Sequence, residues 1–141
     1  MALSRIRVQA ALIGSILLAS FAPMVVQAAD PTAAKPEEMY FPVTNLNVPI
    51  LQDGKTKGTL LFNFLVELND INDRPLMSKY GPKIKARFFD ELYKFASTLK
   101  VEEKVELGKI KVMLTKVVKK IVGEKKIKAV LVKDYRRAYV R

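Results

Sequence analysis

The run at residues 59–69, TLLFNFLVELN, constrains the fold of this chain more than any other segment. Its pattern places large apolar side chains on alternate positions, and so on one face of an extended strand. These residues are Leu60, Phe62, Phe64, Val66 and Leu68. Aromatic and β-branched residues favour a strand. Because such a strand must bury its apolar face against a second layer, we expect it to be the central strand of a sheet packed against helices.

The preceding run at residues 40–51, YFPVTNLNVPIL, predicts a second strand. Pro42 and Pro49 have no N–H for a strand ladder, which favours a position at the sheet edge. Between the two runs, residues 52–58 read QDGKTKG. Asp53 and Gly54 suit the positive φ values of a tight turn, with Gly58 closing the segment. The sequence therefore predicts a hairpin.

Two amphipathic helices are expected next. Asp73 or Asn72 is a candidate N-cap with Pro75 in the first turn, and Gly81-Pro82 is expected to interrupt or restart the helix. The apolar stripe after Pro82 consists of Ile84, Phe88, Leu92, Phe95 and Leu99. The second helix, at about residues 102–122, has the stripe Leu107, Ile110, Leu114, Val117 and Ile121 and ends before Gly123.

The run at residues 126–132, KIKAVLV, predicts a final short strand. The order is thus strand, strand, helix, helix, strand. We expect an α+β domain at residues 40–141, in which two helices cover one face of a small antiparallel or mixed three-stranded sheet.

The N-terminal segment predicts export. Arg5 and Arg7 precede an apolar run at residues 8–26, and Val26 and Ala28 occupy the small-residue positions of a cleavage site before Ala29. An uncleaved membrane anchor is the alternative interpretation of residues 1–28. Residues 29–39, rich in Pro and Ala, predict a flexible linker. Both alternatives place the domain in the periplasm of a Gram-negative bacterium, as a soluble protein or attached to the inner membrane.

The chain contains neither cysteine nor histidine. It therefore has no disulfide and no thiolate or imidazole metal ligand, and it lacks the side chain that most often serves as a general base. The fold must be held by the apolar core of one small domain.

The net charge of +11 is concentrated near the C-terminus, where residues 104–141 hold 13 Lys and Arg against three acidic residues. This imbalance favours an anionic partner, either a membrane surface or an acidic protein. Nucleic acid is not expected, because the domain is predicted to be exported and no aromatic residues alternate with the lysines of residues 104–128. A solvated charged surface is the alternative. The candidate anionic-partner face consists of Lys109, Lys116, Lys119, Lys120, Arg136 and Arg137.

The sequence contains only weak matches to catalytic and metal-binding motifs. Ser97 and Lys100 match S-x-x-K, but the motifs that accompany it in serine acyl-transferases are absent. Asp70, Asn72 and Asp73 alternate as oxygen ligands of calcium do, yet helix capping explains them better. We therefore expect a non-enzymatic protein without a catalytic residue, metal or cofactor.

Several motifs in order resemble the flagellar basal-body-associated FliL-like family. They are the N-terminal membrane-targeting run, the strands YFPV…LNVPI and LLFNFLVELND, the helix start GPKIKARF, and the ending VG…IKAVLV. The likeness covers about residues 40–133, and its closest matches are Pro82, Ile84 and Lys85 together with Gly123 and the final strand.

The resemblance implies a stomatin-like periplasmic domain that forms homo-oligomers at the flagellar motor. It also implies that the domain acts by binding, beside the ion-driven stator units, and so supports motility. A soluble envelope module that binds anionic lipid or acidic partners through the basic C-terminal face is the alternative function.

Overall fold

The computed structural model describes residues 36–100 and 102–140. The predicted segment 1–28, with the expected cleavage residues Val26, Ala28 and Ala29, lies outside them. The elements, in chain order, are a 3₁₀ helix (Pro36–Met39), β1 (Tyr40–Gln52), β2 (Lys55–Leu68), a 3₁₀ turn (Ile71–Asp73), α1 (Arg74–Thr98), α2 (Leu107–Val122) and β3 (Ile127–Tyr139). The predicted α+β class and element order are confirmed. The last four residues of the predicted linker 29–39 form the first 3₁₀ helix.

The three strands form an antiparallel sheet in the order β1-β2-β3, with β2 in the centre as expected. The β1–β2 hairpin turns at Asp53 and Gly54, whose φ values are 51° and 72°. Residues 55–58, predicted as part of the turn, belong to β2 instead. Gly58 lies inside the strand, where a Cβ atom would be only 2.6 Å from the carbonyl oxygen of Ala138.

Strand β3 extends to Tyr139, so the prediction that it ends near Val132 is wrong. Its second half pairs with the first half of β2, from Gly58 opposite Tyr139 to Asn63 opposite Asp134. The reason is that β2 begins at Lys55, which provides backbone donors and acceptors for a longer partner. The basic C-terminal residues are therefore part of the sheet.

The core lies between the sheet and the two helices. Leu60, Phe62, Phe64, Val66 and Leu68 are all buried on one face of β2, as predicted. They share one apolar cluster with buried residues of both helices. The ring of Phe64, for example, meets that of Phe88 of α1 edge to face at 5.7 Å, a favoured aromatic geometry.

Helix α1 continues through Pro82, so the predicted interruption at Gly81-Pro82 is wrong. Met77 before the proline and Ile84 after it are both fully buried, and this packing outweighs the hydrogen bond that proline cannot donate. Gly81 allows the ring of Phe41 to approach, since a Cβ atom would lie 3.3 Å from it. Ala96 is fully buried, whereas the predicted stripe residue Phe95 is half-buried.

Helix α2 begins at Leu107 rather than near residue 102. Its buried residues are Ile110, Leu114, Val118 and Val122, so the predicted stripe through Val117 and Ile121 is displaced by one residue. Because adjacent apolar residues stand at both places, the spacing alone does not decide which one faces the core. Gly123 ends the helix with φ 129°, as expected. Within the described residues, neither helix is apolar enough over a sufficient length to cross a membrane.

Candidate binding groove

A groove of about 610 Å³ lies between α1 and α2. Its walls come from Arg87 and Glu91 of α1 and from one face of α2. None of its lining residues is fully buried, whereas the residues that pack against the sheet are different ones from the same helices. The groove therefore belongs to the outer surface of the helical layer.

The lining residues of α2 form two adjacent rows in which successive members are four residues apart. The first row is Gly108, Val112, Lys116 and Lys120, and the second is Lys109, Met113, Val117 and Ile121. Rows with this spacing are the ridges that commonly interlock when one helix packs on another. The surface of α2 that lines the groove thus has the ridges of a surface on which another helix can pack.

The floor of the groove is apolar. Met113, Val117 and Ile121 are half-buried and pack against the edge of the core. Val112 is 57% exposed, which makes it one of the more exposed large apolar residues of the described chain. At the start of α2, nothing lies within 4 Å of the position that a Cβ atom of Gly108 would take, so this end is open. The floor offers apolar surface that a partner can bury.

The rim of the groove is cationic. Its lining includes four cations, Arg87, Lys109, Lys116 and Lys120, and one acidic residue, Glu91. Lys109 Nζ lies 2.8 Å from Glu106 Oε2, and this hydrogen bond raises the pKa of Lys109 above its ordinary value. Arg87 is 4.0 Å from Asp90, and Glu91 pairs with Lys94 at 3.1 Å.

Lys116 and Lys120 differ from the other rim cations. No ion pair or side-chain hydrogen bond of the described residues includes either of them. They lie one turn apart on the same face, where like charges destabilise a helix by about 0.2–0.5 kcal/mol. The position of Lys120 in the last turn offsets part of this cost through the helix dipole. Both ammonium groups are available to an anionic partner.

The predicted basic face does not form one surface. Lys109, Lys116 and Lys120 line the groove, whereas Lys119, on the same helix, does not. Arg136 and Arg137 project from opposite faces of β3, since they pair with Leu61 and Leu60 respectively. Arg136 lies 3.4 Å from Asp134 in an exposed ion pair.

Arg137 has a structural position on the helical side of the sheet. Its guanidinium donates a 2.5 Å hydrogen bond to the carbonyl oxygen of Glu103 and a 3.0 Å one to that of Lys100. Both acceptors lie in the connection between α1 and α2. Arg137 therefore anchors the connection between α1 and α2, the two helices that form the walls of the groove.

Ser97 and Lys100, the residues of the S-x-x-K match, make structural contacts at the end of α1. Ser97 Oγ donates a 2.7 Å hydrogen bond to the carbonyl oxygen of Lys94, a common pattern for a helical serine. The backbone N–H of Lys100 donates to Glu103 Oε2 at 3.2 Å. These contacts shape the end of α1.

The acidic residues before α1 have structural contacts too. Asp70 Oδ1 accepts a hydrogen bond from the N–H of Asn72 at 2.9 Å. Asp73 stands at the N-cap of α1, as predicted, but its side chain makes no capping hydrogen bond. It pairs with Lys126 instead and thus ties the start of α1 to the start of β3.

Of the four family-motif residues, two lie on the surface, one lies in the core and one ends a helix. Pro82 and Lys85 lie on the surface of α1, where they border a shallow depression beside β1. Ile84 is fully buried in the core. Gly123 forms the end of α2.

Sequence reasoning missed the apolar part of the groove and its α1 wall. The sequence did contain a signal for it, since α2 has more apolar residues than one core-facing stripe requires. The additional apolar residues are Val112, Met113, Val117 and Ile121.

No protein-family model matches this chain, and no curated protein sequence matches it. The FliL-like resemblance and the stomatin-like arrangement therefore stay predictions, based on the motifs and on the order of the elements.

Proposed function

We propose that this protein is a non-enzymatic interaction protein of the flagellar basal body, exported to the periplasm, which binds a partner at the motor and supports the stator units. The motif order described above supports the link to the flagellar family. The structure has the strand-strand-helix-helix-strand order that was predicted from the sequence. Homo-oligomerisation beside the stator units belongs to the same proposal.

The observation that carries a binding function is the groove between α1 and α2. It combines an apolar floor with ammonium groups that have no partner in the described part of the chain. Apolar area supplies most of the affinity of an interface, and charges at its rim provide orientation and selectivity. The groove is therefore the surface through which we expect the domain to bind its partner.

The test is a clean deletion in the native host, complemented with the full chain. We expect slower swimming and weaker retention of stator units in the deletion strain, both restored by the complementing gene. Complementation with Lys116→Glu/Lys120→Glu should restore less than complementation with Lys111→Glu/Lys119→Glu. The second pair is a matched control, because it makes the same charge change at one mid-helix and one last-turn position of α2, outside the groove. Normal motility of the deletion strain under high load would refute the motor proposal.

A second candidate function is an envelope module that binds anionic lipid or acidic ligands without a link to motility. The cationic rim favours it, since a basic residue near an anionic membrane contributes about 1 kcal/mol before screening by salt. Release of the protein from membranes by moderate salt, together with unchanged motility, would favour this candidate over the motor proposal.

A further inference from the structure

The distribution of charge along the groove defines what kind of ligand fits it. Lys109 already pairs with Glu106, so the cations of the α2 wall that lack an ion pair within the described residues are Lys116 and Lys120, one helical turn apart. This wall is about 20 Å long at a rise of about 1.5 Å per residue. A single-chain anionic lipid carries one negative charge at one end, so it would leave one of these two cations unmatched.

The apolar residues run parallel to the cations. Met113, Val117 and Ile121 form a continuous apolar row one position away from Val112, Lys116 and Lys120. A ligand that follows both rows needs an apolar edge and an anionic edge side by side over several helical turns. An amphipathic helix has this arrangement when acidic residues flank its apolar stripe.

The shape of the groove surface also fits an amphipathic helix. Its α2 wall consists of ridges with four-residue spacing, which interlock with the equivalent ridges of another helix. Gly108 leaves room at one end, since nothing lies within 4 Å of where its Cβ atom would be. A glycine at a helix contact permits close approach of a second backbone.

We infer that the groove between α1 and α2 binds an amphipathic α-helix of a partner protein whose apolar stripe is flanked by Asp or Glu. The apolar stripe of the partner packs on Val112, Met113, Val117 and Ile121, while its carboxylates pair with Lys116, Lys120 and Arg87. This inference rests on the proposed binding function and names the class of partner, but it does not depend on the flagellar motor.

The experiment uses the chain as purified from the envelope of its host and a labelled synthetic peptide of about 18 residues, enough to follow the α2 wall at about 1.5 Å per residue. The peptide contains alanine, leucine and glutamate, with leucines forming one helical stripe and glutamates beside it. One control peptide has glutamine in place of glutamate. Another has the same composition but no stripe. Binding is measured by fluorescence anisotropy at several salt concentrations.

We expect the acidic striped peptide to bind, and both control peptides to bind at least about tenfold more weakly. Lys116→Glu/Lys120→Glu should weaken binding of the acidic peptide by about tenfold or more, because attraction at the rim becomes repulsion. The matched Lys111→Glu/Lys119→Glu variant should change it by less than about twofold, the effect of a charge outside the contact. Circular dichroism and thermal unfolding of each variant separate a lost contact from a lost fold.

A steric variant tests the same surface without changing its charge. Gly108→Trp should weaken binding of the peptide by filling the open end, and it should leave the fold intact because the space beside Gly108 is empty. Equal binding of all three peptides, or equal binding by the groove and control variants, would overturn the inference.

Binding to vesicles of phosphatidylglycerol tests the alternative that the groove is a lipid site. If the protein bound these vesicles through Lys116 and Lys120 but did not bind the acidic peptide, the groove would be a lipid site and the helix proposal would be wrong. Peptide binding combined with normal motility of the deletion strain would instead support the inference while refuting the motor proposal.

Discussion

The backbone N–H of Asn45 donates a 2.9 Å hydrogen bond to the side-chain oxygen Oδ1 of Asn63. Asn45 has a left-handed backbone with φ 59° and lies in a bulge of β1, opposite Asn63 of the central strand. A bulge of β3, at Lys133, falls beside the same residue from the other side. Asn63 therefore lies where both outer strands of the sheet change register.

Asn63→Ala should lower the free energy of unfolding by about 1 kcal/mol, because the N–H of Asn45 loses its acceptor. The measurement is urea unfolding of the variant and the parent chain. Asn47→Ala serves as the control, since Asn47 is an exposed residue of β1. Equal effects of the two substitutions would show that the hydrogen bond does not stabilise the bulge.

Gly58→Ala should destabilise the protein by about 1–3 kcal/mol through overpacking. The added methyl group would lie 2.6 Å from the carbonyl oxygen of Ala138, so β2 and β3 must separate locally. Gly108→Ala is the matched control, and it should raise stability by up to about 1 kcal/mol because alanine favours helix and the space is empty. Thermal and urea unfolding measure both. A Gly58→Ala protein as stable as the parent would contradict the close approach of the strands.

Stability should fall as the pH rises above about 10, near the ordinary pKa values of tyrosine and lysine. Burial raises the pKa of Tyr135, and the hydrogen bond to Glu67 at 2.8 Å raises the pKa of Lys128. Since each group holds its proton more tightly in the folded state, its contribution is fully present below the unfolded pKa and is lost as the pH rises through the folded one.

The check is the melting temperature between about pH 8 and 12, the range that spans these titrations. Tyr135→Phe and Lys128→Met should each make the alkaline decrease less steep. Tyr93→Phe, at an exposed position of α1, is the control. An unchanged decrease in both test variants would exclude these two groups as its cause.

Lys116→Glu should stabilise the protein and weaken binding at the same time. It replaces a repulsive pair with Lys120 by an attractive one in which the acid precedes the base by four residues, a change of about 0.5 kcal/mol. Thermal unfolding should show the gain, and anisotropy with the acidic striped peptide should show the loss. If stability and binding fell together, the loss of binding would reflect damage to α2.

The sequence allowed much of the sheet to be predicted. The alternation from Leu60 to Leu68 identified the central strand and its buried face, and Asp53-Gly54 identified the turn. The extent of β3 could not be predicted, because its second half has mixed polar and apolar residues and is fixed by pairing with β2. Strand length here depends on a partner distant in sequence.

The groove was less accessible to prediction. Lys109, Lys116 and Lys120 were identified from charge alone, but their separation from Arg136 and Arg137 follows from the sheet, where neighbouring residues face opposite sides. The continuous passage of α1 through Pro82 depends on core packing on both sides of the proline. The groove itself arises from the way two helices pack, which periodicity within either helix does not specify.

The pairing of Gly58 with Tyr139 has a consequence for when the domain can fold. The central strand is synthesised before both helices, but its second neighbour, β3, is the last of the described elements to be made. Contacts this distant in sequence form late and slow the folding rate. Until β3 is in place, one edge of β2 is unpaired and the apolar face beneath the helices is incompletely covered, so the chain is open to proteases and to strand-to-strand aggregation during that interval.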